Sequence, residues 1–215
     1  MKKFAVVLSG CGVSDGAEIH EATLTLLAIT QQKATYEIFA PDIDQHHVIN
    51  HLTGEEMPEK RNVLVESARI ARGNIKPLSQ FRAAEYDAII FPGGYGAGKN
   101  LSTFAFDGSN AKVIPEVERA VREMHGAGKP IGALCVTPVL ITKILGNITV
   151  TMGDDPGDAA AIEEMGGTHV KTTHGQVIAD EKNKVFSSPC YMLDANIEQV
   201  YEGISNTVKE MLKNM

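Results

Sequence analysis

The sequence predicts an α/β protein with an open, mostly parallel sheet and helices on both faces, which makes three layers. Along its 215 residues, short apolar segments alternate with segments of helical periodicity. The short segments are apolar throughout, without alternating polar residues, and this is typical of strands that are buried on both faces. No stretch in the middle of the chain resembles a linker. We therefore expect residues 1–215 to form a single domain of the α/β class.

The elements expected before residue 75 follow from the apolar pattern. Residues 4–9 form a continuous apolar run that ends in glycines, which predicts a strand. Residues 17–29 carry a broad apolar face at helical spacing and predict a helix. Residues 36–40 predict a short strand that a proline stops, and the polar stretch 42–57 predicts an irregular surface excursion. A second helix is expected over 62–72, where a glycine follows it.

The rest of the chain repeats this alternation. Buried strands are expected at 86–94, where proline and glycine interrupt the run "YDAIIFPGG", and at 129–134 and 148–152. Residues 176–189 predict a hairpin that turns near its middle. The expected helices have apolar residues at helical spacing, and they cover 114–125, 137–145, 157–165 and 193–212.

Composition and charge exclude several classes of function. Hydrophobic residues make up 43% and charged residues 22% of the chain, and the formal net charge is −7. Because an acidic chain is repelled by nucleic acid and by anionic membrane surfaces, neither is expected as a partner. No apolar run approaches the roughly 20 residues that span a bilayer. The apolar stretch 4–8 is also too short for a signal peptide.

The cysteine content indicates the redox environment. The chain has three cysteines, Cys11, Cys135 and Cys190, an odd number at wide spacings. Such a set does not form a disulfide framework, so a reducing compartment is expected. We predict the cytoplasm as the location.

Cys135 lies where a predicted strand runs directly into a predicted helix, in "GALCVTPVL" (132–140). A helix start lowers the pKa of a thiol, and the thiolate is the nucleophilic form. The junction also lies at the carboxyl edge of the sheet, where ligands bind in parallel α/β folds. Free cysteine is equally typical of a protein core, so position alone leaves a nucleophile and a packing residue both open.

Glu18 is the carboxylate that we first consider as a partner for this thiol. It follows the first strand in "SDGAEIHEA", at the same edge of the sheet, and could exchange a proton with Cys135. A purely structural alternative is strong, because Asp15 and Glu18 have the spacing of a capping box at the start of a helix. Glu21, one turn further on, is expected to be solvated.

The stretch "PGGYGAGKN" resembles a phosphate-binding loop without completing it. Asn100 stands where the magnesium-binding serine or threonine is required, so nucleotide binding is not expected. The backbone amides of Gly93 and Gly94 could instead face an oxyanion. A tight turn that needs glycine explains the same residues without any function.

No metal or cofactor site is predicted. The glycines of "GCGVSDG" miss the dinucleotide-binding spacing by one residue. In "HHVINH", His47 and His51 would share one face of a helix, but no further ligand completes a metal site in the sequence. We therefore expect a reaction without a cofactor, if the protein is an enzyme.

Five motifs together identify a family resemblance: "SGCGVSDGAEIHEA", "VINHLTGE", "RNVLVESARIARG", "FPGGYGAGKNLS" and "GALCVTPVL". In this order they closely resemble the isoprenoid-biosynthesis-associated proteins with an amidotransferase-like domain. These ElbB-like proteins belong to the DJ/PfpI superfamily, with a flavodoxin-like, class I glutamine amidotransferase-like fold. The resemblance implies that Cys135 is the nucleophile at the elbow, that Glu18 is the glutamate in contact with it, and that Gly93, Gly94 and Val136 supply oxyanion-binding amides.

The resemblance also implies an activity. It points to a glyoxalase III-like enzyme that converts a small dicarbonyl, glyoxal, to glycolate without a cofactor, an activity that could reflect deglycation. Members are typically cytoplasmic homodimers. This chain departs from many members because "VTMGDDPGD" (150–158) lacks the histidine that follows the nucleophile strand, and no late His-x-Glu pair exists. Hydrolysis by a full triad is therefore not expected.

A regulatory or redox-sensing protein is the alternative function. Cys11, Cys135 and Cys190 all fall at the ends of predicted strands and could cluster around one pocket. A reactive thiol with neighbouring thiols can be oxidised and then resolved as a disulfide. In this reading any catalysis is weak and incidental.

Overall fold

The computed structural model describes all residues from 1 to 215. Its strands are β1 (Lys3–Val7), β2 (Thr35–Ala40), β3 (Val48–Ile49), β4 (Glu56–Met57), β5 (Lys76–Pro77), β6 (Ala88–Phe91), β7 (Ile131–Leu134), β8 (Thr149–Val150), β9 (Thr168–His169), β10 (Ile178–Asp180) and β11 (Val185–Ser188). Its α-helices are α1 (Ile19–Gln31), α2 (Val63–Ile70), α3 (Tyr95–Lys99), α4 (Phe104–Asp107), α5 (Pro115–Gly126), α6 (Pro138–Leu145), α7 (Pro156–Glu164) and α8 (Ile197–Lys213).

Seven strands form the main sheet in the order β10-β11-β7-β6-β1-β2-β5. All neighbours in it are parallel except β10 and β11, which form the antiparallel hairpin expected over 176–189. The mostly parallel α/β class is therefore confirmed. Because β1 pairs with β2 on one side and β6 on the other, the strand order reverses between β1 and β6. Ligands bind outside the carboxyl ends of strands at such a reversal.

Both faces of the sheet are buried, which explains why its strands are apolar throughout. Alternate residues of β1 point to opposite sides: Phe4 and Val6 belong to one apolar cluster, and Ala5 and Val7 to the other. Helices α1 and α8 pack together over the first cluster, and α5 and α6 cover the second. The result is the expected three-layer arrangement.

The structure differs from the sequence prediction mainly in its shortest elements. The surface excursion 42–57 contains a small hairpin, β3 and β4, each only two residues long. A two-residue ladder is too short to produce a recognisable alternation of polar and apolar residues. The glycine-rich stretch after β6 forms the short helix α3, in which Gly96 lies too close to the Gly16 backbone for any side chain.

Gly132 of β7 tests how tightly the central sheet is packed. A Cβ at this position would lie 2.7 Å from both Ile90 Cγ1 and Met211 Sδ. We expect Gly132→Ala to lower the free energy of unfolding by about 1–3 kcal/mol through overpacking, measured by urea denaturation. Gly126→Ala is the control, because nothing lies within 4 Å of its added methyl group. Equal stability of the two variants would contradict this account of the core.

Candidate active site

Cys135 occupies a strained turn between β7 and α6. Its backbone φ is +59°, in the left-handed region that non-glycine residues rarely adopt. The turn is held by the buried hydroxyl of Thr137, which donates to the carbonyl oxygens of Phe91 and Leu134 at 3.0 and 2.9 Å. The Cys135 amide donates to Ser188 O at 3.0 Å. Strain of this kind, of order 1–3 kcal/mol, is typical of functional sites and fits a nucleophile elbow.

The thiol of Cys135 lines a pocket of about 350 Å³ at the carboxyl edge of the sheet. Most of the wall is apolar, with Val13, Phe104, Val136 and Met192 among its residues. Two carboxylates, Glu18 and Asp158, also line it, but no lysine, arginine or histidine does. The residue itself is only 7% exposed. A small uncharged molecule can therefore reach the sulfur only by leaving bulk water.

Glu21, not Glu18, is the carboxylate that contacts the thiol, which corrects the sequence-based assignment. The Cys135 thiol donates a hydrogen bond to it. Glu21 Oε2 accepts a second hydrogen bond from the Gly93 amide at 2.8 Å, and Oε1 accepts one from the Tyr191 amide at 3.3 Å. The side chain is fully buried rather than solvated. A Cβ on Gly93 would lie 2.6 Å from Glu21 Oε2 and 2.8 Å from the sulfur, so only glycine fits between them.

Burial controls the ionisation of this pair. It raises the pKa of Glu21 to about 7, and the nearby charge of Glu18 adds to the shift. Burial also raises the pKa of the Cys135 thiol well above its usual value, and the charge of Glu21 acts in the same direction. The expected lowering by the helix start is therefore outweighed by desolvation. Below about pH 7 both groups are protonated, and above it the pair holds one proton, which the thiol donates to the carboxylate.

Glu18 has a capping role in α1, but not through the capping box with Asp15 that its spacing suggested. It is the N-cap residue, and its Oε2 accepts a hydrogen bond from the Glu21 amide at 2.7 Å. Asp15, which the sequence suggested as the cap, instead accepts a hydrogen bond from the Ile49 amide at 2.7 Å. Asp15 thereby ties the β3–β4 hairpin to the loop after β1.

The three amides expected to bind an oxyanion have different roles. The Gly93 amide is occupied by Glu21, so it cannot serve an oxyanion, and this corrects its assignment. The Gly94 amide donates to the sulfur of Cys135. The Val136 amide donates to no group of the chain, and Val136 lines the pocket. Gly94 and Val136 therefore remain the candidates for stabilising negative charge on sulfur and on a bound oxygen.

Only two of the three cysteines come together. Cys190 is buried with its sulfur close to the Cys135 backbone amide, and burial raises the pKa of the Cys190 thiol well above the usual value. Cys11 does not line the pocket. It lies among Glu66, Arg69 and Asp15, and burial raises its pKa. The expected cluster of three thiols is therefore reduced to a pair.

A histidine at Gly153, in the stretch after the nucleophile strand, would be strained. Gly153 has φ +104°, and a Cβ there would lie 2.9 Å from Leu193 Cδ2. His169 accepts a hydrogen bond from the Met152 amide at 3.1 Å and does not line the pocket. His51 accepts from the Ser14 amide at 3.1 Å. No group of three or more histidine, cysteine or acidic side chains is arranged to hold a metal ion.

These features define a class: an α/β protein of the amidotransferase type with a cysteine at a strand–helix elbow. The chain is 47% identical to the rat ES1 protein homolog, mitochondrial, over 98% of its own length and 83% of the relative's. It is also 47% identical to human glutamine amidotransferase-like class 1 domain-containing protein 3, mitochondrial, over 98% and 82% of the two chains. It therefore belongs to the family of glutamine amidotransferase-like class 1 proteins that includes ES1.

Solved structures agree with this family. An isoprenoid biosynthesis protein with an amidotransferase-like domain from Ehrlichia chaffeensis matches with a TM-score of 0.94 and 38% identity, over 100% of this chain and 99% of that one. Glyoxalase III from Candida albicans shares the fold with a TM-score of 0.62, over 100% and 97% of the chains, but is only 12% identical. No model of a known protein family matches the chain.

The relatives overturn the prediction of a cytoplasmic location, which is wrong. The rat, human and zebrafish relatives are all named as mitochondrial proteins. The prediction relied on free cysteines, and these indicate a reducing environment without specifying the compartment. None of the helices combines the length and the apolar character needed to cross a lipid bilayer.

The rate at which iodoacetamide alkylates Cys135 should rise through about pH 7. Above this pH Glu21 is ionised and can accept the thiol proton, because burial raises its pKa to about 7. The rate should then level off until the second proton leaves at alkaline pH. Rates are measured against pH, with alkylated Cys135 quantified by peptide mass spectrometry.

Two variants distinguish the effects of Glu21 and Glu18 on the pH dependence of the alkylation rate. Glu21→Gln should lose the inflection and keep only the alkaline rise. Glu18→Gln should move the inflection to lower pH, because the charge of Glu18 raises the pKa of Glu21, while glutamine still caps the helix. An inflection that persists in Glu21→Gln would show that another group controls the thiol.

Proposed function

We propose that the protein is a cofactor-free glyoxalase that converts glyoxal, or a similar small dicarbonyl, to the corresponding hydroxy acid. The observation that carries the proposal is the buried hydrogen bond between the Cys135 thiol and the Glu21 carboxylate, at the wall of a small and mostly apolar pocket. A thiol supplies the nucleophile, and a carboxylate with a pKa of about 7 can both accept and return a proton at neutral pH.

The first step forms a hemithioacetal. Glu21 takes the thiol proton, and the sulfur attacks one aldehyde carbon of glyoxal, so that a C–S bond forms and the carbonyl π bond breaks. The proton of Glu21 then neutralises the new alkoxide. The free Val136 amide is available to stabilise that oxygen, and the Gly94 amide stabilises the thiolate before attack.

The second step moves hydrogen without an external oxidant. Glu21 removes the proton from the carbon attached to sulfur, which gives an enediol, and returns a proton to the neighbouring carbon. One carbon is oxidised to a thioester and the other reduced to an alcohol, so the electrons balance within the substrate. Water then hydrolyses the glycolyl thioester to glycolate and regenerates the thiol. The Glu21 carboxylate carries out each proton transfer, so the reaction requires no histidine.

The similarity of fold to the Candida albicans glyoxalase III supports the reaction class. The same chemistry extends to carbonyl adducts of thiols or amines, in which a deglycase would release the free group. Amide hydrolysis is less well supported. The pocket has no histidine to protonate an amine leaving group, and the positive φ of Gly153 disfavours a side chain there.

Cys135→Ser should abolish the conversion of glyoxal to glycolate while leaving the fold intact, because serine is nearly isosteric but a much weaker nucleophile with a carboxylate base. Glu21→Gln should lower kcat by at least about 100-fold, since the carboxylate performs every proton transfer. Glycolate formation is followed by proton NMR, and folding by circular dichroism.

Cys11→Ser is the matched control for that experiment, because this thiol lies outside the pocket. Its turnover should equal that of the unmodified protein. Wild-type turnover in Cys135→Ser, or equal losses in Cys135→Ser and Cys11→Ser, would exclude the proposed mechanism.

A redox-sensing regulatory role is the second candidate, and the contact between Cys135 and Cys190 favours it. Peroxide would oxidise the Cys135 thiolate to a sulfenic acid and be reduced to water. The Cys190 thiol would then attack that sulfur, releasing a second water and leaving a disulfide. A link to isoprenoid biosynthesis, taken from the name of the similar Ehrlichia chaffeensis protein, belongs to this candidate.

Mild peroxide treatment followed by peptide mass spectrometry tests the redox role. We expect a disulfide between Cys135 and Cys190 in the unmodified protein, and over-oxidised Cys135 in Cys190→Ser, where no resolving thiol remains. Unmodified thiols under conditions that oxidise a low-molecular-weight thiol would exclude this role. The peroxide experiment does not measure glyoxal turnover, so a negative result there leaves the glyoxalase proposal standing. The two candidate functions are therefore tested independently.

A further inference from the structure

Two acidic side chains line the pocket without a cationic partner. Glu18 is nine-tenths buried, and while its Oε2 caps α1, its Oε1 accepts no hydrogen bond from the chain. Asp158 lies in the first turn of α7, and its carboxylate accepts no hydrogen bond and joins no ion pair. Both line the same pocket as the Cys135 thiol. Buried or half-buried carboxylates are normally paired, so an unpaired set facing a cavity marks a place for a ligand group.

No cationic side chain lines the pocket, so these charges are offset only by the N-terminal ends of α1 and α7. The nearby cation is Lys99, whose Nζ donates to the Ser14 carbonyl at 2.8 Å and lies over the ring of Tyr95. It does not line the pocket. His20 is the other neighbouring group that can carry positive charge, and its Nδ1 is hydrogen-bonded to the Tyr191 hydroxyl at 2.8 Å.

The field of Glu18 reaches the reacting groups. Its charge contributes to the raised pKa of Glu21 and to that of Tyr191. On the other wall, burial and the charge of Asp155 raise the pKa of Asp158. A molecule in the pocket with the sulfur is therefore exposed to both carboxylates in a space of reduced dielectric, where Coulomb energies are larger than in water.

We propose that Glu18 and Asp158 select the electrophile by charge, so that the pocket binds carbonyl compounds carrying an ammonium or guanidinium group and excludes those carrying a carboxylate or phosphate. This inference rests on the proposed function for the identity of the nucleophile, and it adds a substrate class. The reacting carbonyl would meet Cys135 and Glu21, and the cationic group would pair with Glu18 Oε1 and the Asp158 carboxylate. Anionic dicarbonyls of the same size would be rejected by like charge.

Charged thiol reagents test this selectivity without any turnover. Cys135 is treated at one pH with a trimethylammonium-ethyl, a sulfonatoethyl and a methyl methanethiosulfonate, in a Cys11→Ser background. The thiolate forms a disulfide with the reagent sulfur, and methanesulfinate leaves. The ratio of cationic to anionic rates cancels the intrinsic reactivity of the thiol, which the neutral reagent reports separately. Peptide mass spectrometry assigns the modification to Cys135 rather than Cys190.

The rate ratio at Cys135 should exceed that of free cysteine by about tenfold or more, which corresponds to about 1.4 kcal/mol. In the double variant with Glu18→Gln and Asp158→Asn it should fall to the free-cysteine value. Asp154→Asn is the matched control, because Asp154 precedes the same helix but pairs with Lys171 outside the pocket. This variant should keep the wild-type ratio, and salt should reduce the ratio in both proteins.

A wild-type ratio equal to that of free cysteine, an unchanged ratio in the double variant, or no labelling of Cys135 by any reagent would each overturn the inference. The outcomes are separate from those for glyoxal. Charge selectivity without glyoxal turnover would reject the glyoxalase proposal alone, and glyoxal turnover with no charge selectivity would reject the present inference alone.

Discussion

The buried carboxylate of Glu21 is the interaction on which the site depends. Burying a charge costs several kcal/mol unless hydrogen bonds replace the lost water. Here the Gly93 amide, the Tyr191 amide and the Cys135 thiol replace it. These three donors come from the turns that follow β6, β11 and β7. One side chain on α1 therefore holds together the carboxyl ends of three adjacent strands, and the same hydrogen bonds leave a proton between oxygen and sulfur.

The backbone around Glu21 departs from ideal geometry at several positions. Cys135 and Cys190 both have positive φ, +59° and +47°, although neither is glycine. Gly94 also has positive φ, and a Cβ there would meet the backbone of Glu18 and Gly16. Strain at these positions persists because the seven-stranded sheet fixes the ends of the strands on either side. The site is thus rigid before any substrate enters, which limits the reorganisation that a reaction requires.

The sequence was sufficient for the fold class and for singling out Cys135 as the candidate nucleophile, but not for the carboxylate beside it. An apolar run leading directly into a helix located Cys135, because such junctions occur at the ligand-binding edge of a parallel sheet. Glu18 was preferred to Glu21 because it lies nearer the end of the first strand, and because the family resemblance matched it to the glutamate in contact with the nucleophile. The helical period contained the correct signal: Glu21 is four residues before buried Thr25 and seven before buried Ala28, so it lies on the core face. Gly93 and Tyr191, which contact that face, are distant from Glu21 in the sequence. No local sequence pattern predicts such contacts.

The absence of a histidine from the pocket wall narrows the chemistry that this arrangement can perform. A carboxylic acid with a pKa near 7 can return a proton to an alkoxide or an enediolate, which are far more basic than itself. Expelling an amine from an amide requires a proton to be delivered to the leaving nitrogen. The Glu21 carboxylate is held by two backbone amides, so it is poorly placed to reach that nitrogen. Addition of a thiol to an aldehyde has no leaving group, and the later 1,2-proton shift returns to the same carboxylate. The geometry around Glu21 therefore favours rearrangement of a carbonyl compound over hydrolysis of an amide, even though the fold is shared with amidotransferase-like proteins.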